Sequence, residues 1–462
     1  MSPSLPSVIS EHARPLPPIT DPSFVAHFDS LGSVPLVLIG DATHGTSEFY
    51  RARCAITQRL ITHHGFTSIA IEADWPDARE IDAWVRQAPH KAYASHSPSS
   101  TSSSSPSPSP RYPGAYPGAF HHFPTWLWRN TEFKSFITWL RHYNSALPYP
   151  QRVEVHGLDL YSLGRSMRKV IEYLDRVDPS AAQLARKRYA SLAPWAEDPV
   201  GYGREAFVSS ARSCERDALE MLVDLLKKRV EYAAAEGDGD AYFDAQMNAR
   251  VVRDAEEYYR AMFYGDEQSW NLRDAHFFDV LEQVMRRQGG KGKVVVWAHN
   301  SHIGDSRWTD MGERRGEVNL GQLCREEFGD KVKLVGCGTH KGTVAAAEEW
   351  DGDMQIMKVR ESREDSYERV MHDTGIGSFW LDLRKGGDHE SLRKALMVKR
   401  RERFIGVIYR PDTELRSHYS WCVLPKQMDA YIWFDKTEAV DAFETAQPDE
   451  PPGVGETYPF GL

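Results

Sequence analysis

Short apolar runs that stop abruptly at acids or histidines recur along this chain, and several are followed by helical periodicity. Val34 to Ile39 is apolar and β-branched, which predicts a buried strand. Gly40, Asp41, Ala42, Thr43, His44 and Gly45 interrupt it, and from Thr46 onward Phe49, Ala52, Ile56, Leu60 and Ile61 share one helical face. Gly65 suits a left-handed cap for that helix. Thr67 to Ile71 predicts a second strand, ending in Glu72-Ala-Asp-Trp-Pro76, and a helix from Asp77 to Val85. Val153 to Val155 predicts a third strand leading to Asp159 and Tyr161. Lys293 to Trp297 predicts another, ending in His299-Asn-Ser-His302. Parallel strands joined by helices would gather these polar ends at one sheet edge, with Glu72 beside His44.

Val332 to Gly336 and Gly342 to Ala346 suggest a strand pair, with later strands at Phe379 to Asp382, Phe404 to Tyr409 and Tyr431 to Phe434. Ser166 to about Arg287 is helical throughout, with stripes such as Leu219, Leu222, Leu225 and Leu226, and is expected to form a layer or lid. Tyr258, Tyr259 and Trp270 within it read as packing residues, although Ser269 to His276 is denser in polar groups than its surroundings. The expected organisation is one α/β domain over 21–446, beginning with a short helix from Asp21 to Ser30, with the helical subdomain at 166–287. Residues 1–20 are expected to be a poorly ordered tail because Pro15, Pro17 and Pro18 oppose regular structure. A Ser/Pro insertion at 90–115 has too few apolar groups to offset ordering entropy, and 447–462 reverts to Pro and Gly.

Composition narrows the function classes. With 462 residues, 41% hydrophobic and 13 Trp, the chain can bury the core of a globular enzyme. A net charge of −10 and a pI near 6.0 argue against nucleic acid or an anionic membrane as partner. There is neither an apolar stretch of about 20 residues nor a signal-like core, so a cytoplasmic protein acting on a small-molecule substrate is expected. The five scattered cysteines lack metal-ligand spacing, and Cys54 reads as a packed thiol. Oligomeric state leaves no signal.

Asp41, His44, Glu72, Asp74, Asp159, His299 and His302 all come after predicted strands. Converging on one rim, they could orient a histidine as general base for water, or hold a metal through imidazole and carboxylate ligands. His299 and His302 would share a face if their segment is helical. No Gly-x-Ser-x-Gly elbow surrounds Ser301, and no phosphate-binding glycine loop is present, so neither a serine nucleophile nor a nucleotide cofactor is expected. By position alone Arg53 suggests a surface salt bridge, and Arg129, after two tryptophans, a stacked structural arginine.

Six blocks together resemble the erythromycin esterase family: Gly40-Asp-Ala-Thr-His-Gly-Thr-Ser-Glu-Phe-Tyr50, Ile71-Glu-Ala-Asp-Trp-Pro76, Thr125-Trp-Leu-Trp-Arg-Asn130, Gly157-Leu-Asp-Leu-Tyr161, Trp297-Ala-His-Asn-Ser-His302 and Glu414-Leu-Arg-Ser-His-Tyr419. The resemblance implies a mixed, largely parallel α/β fold whose helical insertion walls a deep cleft. It also implies hydrolysis of an ester or lactone of a bulky, polyketide-like substrate by a His-activated water. His44 would be the base and Glu72 its carboxylate, with Asp41, Arg53, His299 and His302 completing the catalytic set. Asp74, Trp75, Arg129, Asp159, Tyr161 and His418 would bind substrate, and no metal or other cofactor is expected. The family commonly carries Glu where this chain has Asp41, one methylene shorter. A cyclase or lyase in the same cleft, metal-dependent hydrolysis and non-catalytic binding remain open as alternatives.

Overall fold

The computed structural model describes residues 3–88, 118–209, 214–236, 239–290, 292–385 and 389–444. Its strands, in chain order, are β1 Arg14–Pro15, β2 Leu36–Ile39, β3 Ser68–Asp74, β4 Glu154–Asp159, β5 Val294–Trp297, β6 Val332–Ala346, β7 Gln355–Val359, β8 Ser378–Asp382, β9 Arg400–Arg403, β10 Tyr419–Cys422 and β11 Ala430–Thr437. Nine form one sheet in the order β1-β8-β11-β6-β2-β5-β3-β4, with β7 paired to the far half of β6. From β11 to β4 every pairing is parallel, whereas β8, β1 and β7 join antiparallel.

The central strands are apolar on both faces because both faces are covered. Val37, Ile39, Val295 and Trp297 join one core with Phe49, Ile56, Phe133 and Phe136 from flanking helices. Their neighbours Leu36, Leu38, Val294 and Val296 enter a second core on the opposite face, with Phe277, Val280 and Leu281. A third core is internal to the helical layer, where Leu163, Val170, Leu222, Leu225 and Val252 meet. That layer runs from helix Leu163–Val177 to helix Asp266–Arg287, and its described residues include no strand. Helix Ser47–His64 ends on Gly65 at φ 71°, as its sequence predicts. Among the described residues no helix is long and apolar enough to cross a membrane.

Several sequence expectations need correction. The first 20 residues are not irregular: Leu5–His12 is a helix, Ile9 is fully buried, and Arg14–Pro15 pairs with β8. Pro6 lies in the first helical turn and Pro15 in an edge strand, two places where a missing N–H costs little. The turn of helix before β2 is 3₁₀ and spans Phe24–Ser33. The expected strand pair at 332–346 is the single strand β6, which passes Gly342 at φ 152° without reversing. Residues 404–409 make only isolated bridges, from Ile405 to Thr43 and Ile408 to Ala347; the strand precedes them as β9 and pairs with β10. The Ser/Pro insertion at 90–115 and the tail at 447–462 lie outside the described residues.

Candidate active site

Strands β2, β5, β3 and β4 lie side by side, and their carboxyl ends deliver the polar residues in spatial rather than sequence order. His44 lies just after β2, His299 and His302 just after β5, Glu72 and Asp74 end β3, and Asp159 ends β4. β5 therefore separates the two strands that the sequence pattern alone makes neighbours, and His44 meets Glu72 across its end. The glycines flanking the His44 turn serve close approach. A Cβ on Gly40 would stand 2.1 Å from Asn300 Oδ1, and one on Gly45 1.9 Å from the Ala345 carbonyl oxygen.

A cavity of about 110 Å³ opens at this edge. At roughly 10–15 Å³ per water it has room for several. His44, Glu72, His299, His302 and Arg273 form its polar side, and Phe120, Phe123, Trp128 and Trp350 its aromatic side. The Phe123 and Trp350 rings meet edge to face, 4.6 Å apart, joining two separate loops that border the cavity.

His44 has carboxylates beyond both ring nitrogens. Asp41 Oδ1 lies 3.4 Å from Nδ1, and Glu72 Oε1 lies 3.9 Å from Nε2, too far for a direct hydrogen bond. Asp41 is itself fixed by Arg53, whose Nη1 is 2.5 Å from Oδ2 with both side chains about 1% exposed. Burial would raise the Asp41 carboxyl, but the Arg53 guanidinium and then His44 carry it below its usual value. The Arg53 guanidinium rests 4.5 Å over the Tyr50 ring, behind the cavity rather than in it. The surface salt bridge expected for Arg53 is thus a buried one.

His299 caps the short helix Asn300–Ile303, its Nδ1 accepting from Ser301 N–H at 3.4 Å and lying 2.8 Å from Ser301 Oγ. These donors assign the ring proton to Nε2, which is buried at the cavity and has no protein partner. Burial, reinforced by His44, lowers the His299 pKa to about 3, so this ring is neutral and a poor base.

His302 lies between Asp274, 2.9 Å from Nδ1, and Glu72, 3.3 Å from Nε2. Burial lowers its pKa, but Asp274 and Glu72 outweigh that and carry it up to about 9, making it an imidazolium at neutral pH. Arg273 Nη1 stands 3.1 Å from the same Nε2, a true hydrogen bond only for a neutral ring. We favour the charged ring because Asp159 and Glu72 already neutralise the guanidinium. Arg273 binds Asp159 through Nε at 3.1 Å and Nη2 at 2.7 Å, and reaches Glu72 Oε1 at 2.9 Å. Glu72 Oε2 accepts from His299 N–H at 2.8 Å. Burial opposes ionisation of Glu72, yet His302, His44 and Arg273 hold its pKa well below the usual value.

The family model for erythromycin esterase matches residues 61–437. The chain belongs to the erythromycin esterase family. The matched span begins after the His44 turn. A Bacillus cereus protein shares this fold at 18% identity, covering 95% of this chain and 98% of its own, with a TM-score of 0.73. A succinoglycan biosynthesis protein matches at 20% identity, with 95% and 97% coverage and a TM-score of 0.73. An erythromycin esterase, EreC, solved as a histidine-to-asparagine mutant in its open conformation, matches at 15% identity, 93% and 98% coverage and a TM-score of 0.62.

The erythromycin esterase fold gathers some of the expected site residues and disperses others. His44, Glu72, Asp74, Asp159, Tyr161, His299 and His302 all border the cavity. Trp75 does not; it stacks on His156 at 5.5 Å and donates to Asp244. Arg129 is paired with Glu444 at 2.5 Å, and His418 contacts the Phe404 carbonyl at 3.2 Å beside Tyr409, so neither reaches the cavity. Arg273 and Asp274 are site residues that the sequence pattern does not single out, and Trp270 is not the packing residue its pattern suggests. It borders the cavity, stacked on His302 with centroids 4.6 Å apart and planes 5° from parallel. The signal was present in the polar Ser269–His276 stretch, where Trp270, Arg273, Asp274 and Phe277 share one helical face. Cys54 is the packed thiol expected, burial raising its pKa. Among the described residues no three His, Cys, Asp or Glu side chains are grouped to hold a metal ion.

Behind the cavity, fully buried Glu402 lies 3.3 Å from Asn300 Nδ2. Burial and then neighbouring Glu368 raise its pKa to about 8. A raised carboxyl pKa means that the folded state holds a proton the unfolded chain releases. Its stabilisation is present below the unfolded value near 4.5 and lost as pH rises through 8. Glu402→Gln is therefore expected to melt several degrees above the parent at pH 9 and beside it at pH 4, by calorimetry. Equal melting of the two at pH 9 contradicts the assignment.

Proposed function

We propose that this family member hydrolyses an ester or lactone of a bulky, polyketide-like small molecule with a water activated by His44. The observation that carries this reading is the contrast between two adjacent imidazoles, their ring centroids 4.8 Å apart. His44 has a carboxylate on each side, the arrangement that stabilises an imidazolium forming as the ring takes a proton. His299 has lost its basicity but borders the same cavity, and its buried Nε2 has no hydrogen-bond partner.

Water held between His44 Nε2 and Glu72 would attack the substrate carbonyl carbon, giving its proton to His44. His299 Nε2–H would donate to the carbonyl oxygen as it gains charge, a contribution typically worth about 10²–10³ in rate. Collapse of the tetrahedral intermediate breaks the bond to the alcohol oxygen, which leaves with a proton; carboxylate and alcohol result, with one proton released to solvent. Ser301 is a weak candidate for a covalent nucleophile, because the neutral ring it contacts, its pKa lowered to about 3, accepts a second proton poorly. The aromatic side of the cavity supports an apolar body for the substrate.

Incubation of candidate lactones and aryl esters in heavy-oxygen water, read by mass spectrometry, tests the proposal. One heavy oxygen is expected in the acid product. A product isomeric with its substrate, or lighter by water, would replace hydrolysis with cyclisation or elimination in the same cavity.

A further inference from the structure

Where β2 ends, the chain turns away from β6: the Gly40 N–H still donates to the Val335 carbonyl, and the backbone of β2 supplies no partner beyond. The next outward-facing pair on β6 belongs to Cys337, and the side chain of Asn300 takes it. Nδ2 donates to the Cys337 carbonyl at 2.8 Å, and Oδ1 accepts from the Cys337 N–H at 3.3 Å. The amide thus stands in for the peptide group of the departed strand, and the bare Cα of Gly40 leaves it room. The Asn300 N–H donates to the Asp41 carbonyl at 2.8 Å, tying the turn after β5 to the turn that carries His44.

Resting on the hydrolytic reading above, we propose that Asn300 is a positioning residue that sets His299 and His302 against His44 by completing the edge of β6. It touches no substrate, since the cavity stops at Ser301 and His299. Its loss would displace both imidazoles at once while leaving the aromatic wall untouched, so turnover should suffer and binding should not.

Asn300→Asp gives a readout that general loosening would not produce. The new carboxyl would face Glu402 on β9 and the Cys337 peptide on β6, with His299 next in the chain and Asp41, paired to Arg53, bonded to the backbone of the same residue. An ionised carboxylate would repel the Cys337 carbonyl oxygen, whereas a protonated one would donate to it and restore both bonds. With 4-nitrophenyl butyrate as probe, Asn300→Ala is expected to lower kcat about 100-fold with KM changed less than about threefold. The Asn300→Asp to parent ratio of kcat should climb as pH falls from 8 to 5. A flat ratio, or a folded Asn300→Ala enzyme with parental kcat, overturns the proposal. Long-range proton–nitrogen spectra of the imidazoles supply a second measurement that needs no turnover. The His299 and His302 signals should move in both variants while that of remote His372 stays. Unmoved signals overturn the positioning role, whereas moved signals in a chain that never cleaves esters would refute only the hydrolytic reading.

Discussion

His44→Ala is expected to lower turnover by about 10²–10⁴, the usual range for loss of a positioned general base, and to leave the melting temperature nearly unchanged. The two parts of this expectation have separate causes. Turnover falls because no other ring at the cavity can replace His44: His299 is too weakly basic, with its pKa lowered to about 3, and His302 is already protonated below about 9. Stability holds because Asp41 keeps Arg53, its closer partner at 2.5 Å, and Glu72 keeps Arg273 at 2.9 Å, so truncation strands no buried charge. Steady-state kinetics on the substrate found by oxygen labelling, with a thermal melt beside it, measures both. Parental turnover in the folded variant would remove His44 from the mechanism.

The shorter acid at position 41 acquires a physical meaning here. Its carboxylate spends one oxygen on Arg53 and leaves the other 3.4 Å from His44 Nδ1, beyond ideal hydrogen-bond length. Arg53 thus holds Asp41, and Asp41 lies beside His44. The three form a line running from the helix after β2 to the cavity, which only its last member borders.

Much of this was legible in the sequence because a buried parallel strand has few disguises. Val294 to Trp297 and Leu36 to Ile39 are apolar on every residue, and the polar residues immediately C-terminal to them must lie at the carboxyl edge. Sheet order was not legible, since nothing local says that β5 inserts between β2 and β3. Arg129 and Trp75 misled for a related reason. Both sit in motif blocks beside residues that do reach the cavity, but the direction of a side chain depends on packing partners distant in sequence, Glu444 for one and His156 for the other. The N-terminal helix was hidden because its anchor is tertiary: Ile9 is fully buried, and its helix packs on helices Tyr367–His372 and Glu390–Leu396, far outside the first 20 positions. Arg273 was the costliest omission. It comes from the helical layer, and its guanidinium bridges Asp159 and Glu72 at the edge of the sheet.

Arg273→Met should accordingly produce the largest loss of stability of any change at the site, about 3–5 kcal/mol, the cost typical of removing one partner from a buried ion pair. Asp159 would lose both of its guanidinium bonds and Glu72 its 2.9 Å contact with the same guanidinium. The loss should come from the carboxylates left behind more than from the missing arginine. Arg273→Met combined with Asp159→Asn removes a stranded charge along with its partner and is expected to recover a large part of the stability lost. Denaturant melts of the two single variants and the double variant give the coupling between positions 159 and 273 directly. Additive losses would mean that the pair contributes nothing as a pair. Catalysis adds an independent check, because Glu72 without Arg273 must titrate at a higher pH. The acidic limb of the pH–rate profile should move upward in Arg273→Met even where the protein is fully folded, and an unmoved limb would separate Glu72 from the proton chemistry at His44.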